Sequence, residues 1–122
     1  MNHRAELLDA EVERKLASMW PVESERALAR DELRHYGTES YEREIERVRL
    51  AILKLSNGAL EELRNMTAAA KRDYRDVLMW AEYPEESRAL WAVGSKLTDE
   101  QRRELSKIRA RDRAALEAWR KK

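Results

Sequence analysis

The chain has 122 residues, 40% of them charged, with a net charge of +1, three glycines, two prolines and no cysteine. That length predicts one domain, residues 1–122, with a single modest core. The lack of cysteine excludes disulfides, thiolate nucleophiles and Cys-ligated metal sites. Abundant Ala, Leu, Glu and Arg, with few β-branched residues and no alternating stretch of strand length, predict an all-α fold. The expected architecture is a compact bundle of four to five main helices around a central buried helix at about 40–56, with a long C-terminal helix at about 99–120.

In chain order, the first helix is expected from Ala5 to Met19, with Leu8, Val12, Leu16 and Met19 as its stripe. Pro21 suits the first turn of a second helix, where its missing N–H is harmless. That helix carries Val22, Ala29, Leu33 and Tyr36 on one side and ends at Gly37. Ser40, or with less force Thr38, opens the third helix, with Glu42 and Glu44 near its positive end. Tyr41, Ile45, Val48, Ile52 and Leu55 repeat at helical spacing, and Leu50, Ala51 and Leu53 widen the stripe. A helix apolar nearly all round is buried, so VRLAILKL is expected at the centre of the core.

Asn57 and Gly58 end that helix, and Leu60, Leu63 and Met66 carry the pattern on. Two readings stay open beyond them. One helix runs from Ala59 to Glu82, or the chain breaks near Asp73, which then caps a second helix with Asp76 in a capping box. Pro84 forces Tyr83 out of helical geometry. Glu85 to Val93 is expected as a short helix bearing Leu90 and Trp91 and stopped by Gly94. Thr98 and Gln101 match a capping box, from which the final helix runs to about Arg120 with Leu105, Ile108, Ala115, Leu116 and Trp119 inward. Residues 98–122 could instead extend from the domain or pair between chains.

The segment AAKRDYRDVLMWAEYP, residues 69–84, is the richest in reactive groups. Asp73 and Asp76 beside Trp80 and Tyr83 suggest acid–base work or a divalent cation, yet no further ligands or nucleophile accompany them. As a cap and hinge the same residues are all accounted for, with Asp76 in reach of Arg72. The run from ERVRLAILKLSNG through LEELRNMTAAAKRDYRDVLMWAEYP resembles short bacterial helical proteins of unassigned function, over about residues 32–84. The resemblance implies a bacterial origin and no particular chemistry.

His3 and His35 are the only histidines. Asp31 and Glu32 lie near His35, but Glu-x-x-His occurs once, without the partner motif of a di-metal bundle. No G-x-S-x-G and no glycine-rich phosphate loop is present. The expectation is therefore no enzyme, no cofactor, no metal and no evident small-molecule substrate. MNHRAELLDAEVERK lacks the apolar core of a signal peptide, and no run of eighteen apolar residues exists. A cytoplasmic location without membrane contact is expected.

Charge is graded along the chain. Residues 1–50 hold nine basic and twelve acidic side chains, whereas residues 99–122 hold nine basic and five acidic, a balance of +4. Lys107, Arg109, Arg111, Arg113 and Arg120 form the main basic surface and suit phosphate, but Asp112 and Glu117 interrupt them, and no DNA-binding motif appears. Nucleic acid is the lesser partner expectation. The leading one is protein–protein interaction, most simply self-association as a homodimer, through Leu105, Ile108, Leu116 and Trp119, because a thin apolar stripe on a long charged helix suits a two-chain seam.

Overall fold

The computed structural model describes residues 7–94 and 96–122. Among them are seven α-helices and no strand: α1 (Ala10–Met19), α2 (Glu23–Arg34), α3 (Ile45–Ser56), α4 (Leu60–Arg72), α5 (Tyr74–Glu82), α6 (Pro84–Val93) and α7 (Asp99–Lys121). None is long and apolar enough to cross a membrane.

The helix at the centre is α3, packed against α1, α4 and α5, while α2 lies on α1 and α4. Val48, Ile52 and Leu53 of α3 are fully buried with Val12 and Leu16 of α1, Leu33 of α2, Leu63 of α4 and Val77 of α5. The long apolar run of α3 is thus surrounded, as its all-round hydrophobicity predicts. The outer layer is built from α6, which rests on α5 and α7, and α7, which also reaches α5.

Several boundaries differ from the sequence reading. Residues 7–9 are not helical, and α1 starts at Ala10 because the Asp9 carboxylate accepts from the Glu11 N–H at 3.0 Å. Ala5 and His3 lie outside the described residues. Pro21 precedes α2 instead of sitting in its first turn, and Val22, expected inward, is its exposed N-cap.

The largest difference is at α3, which starts at Ile45 rather than Ser40. Glu42 does not join a helix; its carboxylate turns back to accept from the N–H groups of Gly37 (2.7 Å) and Glu39 (3.0 Å) and from the Lys71 ammonium of α4 (2.8 Å). The buried Tyr36 hydroxyl donates to the Arg43 carbonyl at 2.7 Å and closes the loop from the other side. Glu44 then takes a left-handed backbone, φ 51, which ends the loop. Tyr41, expected on the buried stripe, is left exposed in this turn. Gly37 has φ 108, a backbone that other residues rarely adopt, and a Cβ there would also crowd Ile45 Cγ2 at 2.8 Å.

At Asp73 the chain breaks, as the second of the two open readings has it. Its N–H closes α4 on the Ala69 carbonyl at 2.9 Å, and its carboxylate opens α5 by accepting from the Arg75 N–H at 3.1 Å. The capping box with Asp76 is absent, since the Asp73 N–H is already committed. Among the described residues Asp76 and Arg72 form no ion pair, and Asp73 pairs with Arg75 at 3.1 Å.

Candidate interaction surface

The position of α6 is fixed by a carboxylate from another helix. Pro84 occupies the first position of α6, so the next free donors are Glu85 and Glu86. Their N–H groups donate to Asp112 of α7 at 3.3 and 2.9 Å. Asp112, which in sequence only interrupts a basic cluster, is therefore buried as the cap of α6, and Ala115, expected inward, is exposed. Arg109 of α7 reinforces the joint by pairing with Glu86 at 3.0 Å and lying over the Tyr83 ring, while Arg113 donates to the Tyr83 hydroxyl at 2.8 Å.

The far end of α7 is tied to α1. Arg120 makes two parallel bonds to Glu11, at 2.8 and 2.9 Å, and its carbonyl accepts from Arg14 at 2.7 Å. Lys15, buried, donates to the Trp119 carbonyl at 2.7 Å with its ammonium 4.0 Å from the centre of that ring. Burial, with Arg14 and Lys122 nearby, holds the Lys15 pKa below the ordinary lysine value. The last turn of the basic tail thus meets α1 of the acidic N-terminal half, while α7 otherwise packs on α6 and α5.

These contacts locate the residues singled out from sequence. Leu105, Ile108, Leu116 and Trp119 are all half-buried against their own chain, and Trp119 packs on the core. Of the basic surface, Arg109, Arg113 and Arg120 are held by Glu86, Tyr83 and Glu11, and Lys107 lies 3.9 Å from Glu104. Arg111 is exposed. His35 approaches Glu32 at 3.5 Å, but Glu32 is also held by Arg64 at 2.9 Å. Among the described residues no three His, Cys, Asp or Glu side chains converge as metal ligands.

Among the described residues, a cluster of exposed apolar side chains lies instead on the α5–α6 face. Met79 and Trp80 of α5 are each about 40% exposed, as is Leu90 of α6, and Trp91 is 90% exposed. With Leu55 and Pro84 they line an open groove of about 860 Å³. The sequence signal for it was ALWAV, residues 89–93. Five consecutive residues at 100° steps span the whole circumference of a helix. They can all be buried only if neighbours surround the helix, and among the described residues α6 packs mainly on α5 and α7.

A second cleft, of about 440 Å³, lies between α3, α5 and α7, with Leu50, Leu116 and Trp119 in its wall. Its arginines are already engaged, Arg47 by two bonds to Glu82 at 2.8 and 2.6 Å and Arg120 by Glu11. Its charged wall therefore works as a clasp between helices. Compared with protein-family models, with curated proteins and with solved structures, the chain matches none of them. None of these comparisons supports the resemblance expected over residues 32–84.

Proposed function

We propose that this chain is a cytoplasmic, non-catalytic binding protein that works through protein–protein contact, with the α5–α6 groove receiving the apolar side of a partner's α-helix. The observation that carries the reading is Trp91, 90% exposed at the edge of an apolar groove, with Trp80, Met79 and Leu90 beside it. Tryptophan is the residue type most enriched among the anchors of protein interfaces. A helix is the fitting occupant because the groove is formed by helix ridges, and no sheet edge among the described residues offers a template for strand addition. An interface on α7 has less exposed apolar surface to offer, since Leu105, Ile108, Leu116 and Trp119 are half-buried and Trp119 packs on the core.

A photo-crosslinking side chain placed at position 91, and in parallel at the exposed position 111 on α7, tests this in cells that make the protein. Polypeptide adducts from position 91, removed by Leu90→Glu and absent from position 111, are expected. Nucleic-acid adducts from position 111 with none from position 91 would replace this reading with electrostatic nucleic-acid binding through α7.

A further inference from the structure

Resting on that helix-docking reading, we infer that the partner is a second copy of this chain, joined about a two-fold axis so that Trp91 of each copy enters the other's groove. An isologous interface uses one patch twice, so the patch must complement itself. This one does in shape: a protruding indole, 90% exposed, stands beside the concavity lined by Leu55, Met79, Trp80 and Pro84. One face carries both knob and hole.

Charge points the same way. Arg88 lines the groove and pairs with Glu85 at 2.8 Å, with 72% and 58% of their side chains exposed. The rim thus presents both signs, and two copies can approach it without net repulsion. Residues 99–122 have a balance of +4, of which Arg109 and Arg120 are matched by Glu86 and Glu11 in the fold, so pairing through α7 would still bring together a smaller like-charge excess.

Area is also adequate. The exposed fractions of Trp91, Trp80, Met79 and Leu90, which all line the groove, leave roughly 400 Å² of apolar surface per copy, taking about 200 Å² for a large side chain. A stable interface covers about 800 Å² per partner, of which an apolar core of about two-thirds is typical. The patch supplies most of that core, and its margin, with Ser87 and Arg88 in the groove wall, supplies polar area around it. A patch of that size is typical of the largest one on a soluble protein, which is often a functional surface.

The test is the solution mass of the purified full-length chain by light scattering, at low and high salt over a range of concentrations. A dimer at both salts is expected, because an apolar seam is little screened. Trp91→Ala removes the knob and Met79→Lys obstructs the hole, and each should weaken self-association by about 30-fold or more with helical content unchanged. Mixing the two variants restores one intact knob–hole pair, which neither homodimer has, so the mixture should dimerise more tightly than either alone. A wild-type monomer at every concentration overturns the second-copy inference; adducts of another polypeptide at position 91 would then leave the helix-docking reading standing, and no adducts would remove both. A dimer broken by Leu105→Glu but indifferent to Trp91→Ala overturns the inference in favour of α7.

Discussion

Two apolar helices of similar length have opposite fates here. In α3, VRLAILKL is enclosed by α1, α4 and α5, and Val48, Ile52 and Leu53 are fully buried. In α6, ALWAV has mainly α5 and α7 beside it among the described residues, and Leu90, Trp91 and Val93 remain exposed. Hydrophobicity alone does not separate the two; the number of neighbouring elements does. Apolar surface stabilises the fold only where something covers it, and elsewhere it is free to bind.

The entries of both helices show the same division. Each is held by a buried carboxylate that belongs to neither helix: Glu42 before α3 and Asp112 for α6. Glu42 is bonded to the Lys71 ammonium and two backbone donors inside the bundle, whereas Asp112 reaches from the outer helix α7. Burial alone would raise the Glu42 carboxyl. Donation from Lys71 and from the N–H groups of Glu39 and Gly37 outweighs it and holds the pKa at about 2.

The contrast can be broken or sharpened by substitution. Ile52→Ala in α3 should have the largest effect, about 2–5 kcal/mol lost in denaturant unfolding, since it opens a cavity among fully buried side chains. Next is acid at the entry of α3. The folded pKa of Glu42 lies below its ordinary value of 4.5, so its stabilisation is present above about pH 4.5 and lost as pH falls toward 2. That loss amounts to about 2–3 kcal/mol, and Glu42→Gln should flatten this part of the stability–pH profile. Asp112→Ala should cost about 1–2 kcal/mol by orphaning the Glu85 and Glu86 N–H groups, with faster hydrogen exchange confined to the start of α6. Trp91→Ala should be the mildest in the monomer, within about 0.5 kcal/mol, because little of the side chain is buried. Equal losses for Ile52→Ala and Trp91→Ala would dissolve the distinction between the two helices.

How much was legible follows from whether the signal is local. The break at Asp73 was one of two open readings, and the stop at Gly94 and the Thr98–Gln101 box of α7 were expected; each is a cap made by residues within a few positions. The start of α3 was misplaced because Ser40 offered an equally good local cap. What overrides it is Lys71, twenty-nine positions away, pairing with Glu42. Asp112 looked like an interruption in a basic cluster, since its partners lie twenty-six and twenty-seven positions earlier. The α7 stripe was identified as apolar, but no periodicity says whether such a stripe meets its own chain or another.

Composition and spacing by themselves determined the helical class, the burial of α3 and the ends of most helices, because helix formation and capping are decided within a turn or two. The tertiary structure alone decided which apolar surfaces were left over. It seated α7 on α1 through Lys15 and Arg120, used Asp112 to hold α6 on the outside, and left Trp91 uncovered. Coverage is a property of neighbours, and those neighbours lie up to a hundred residues apart along the chain.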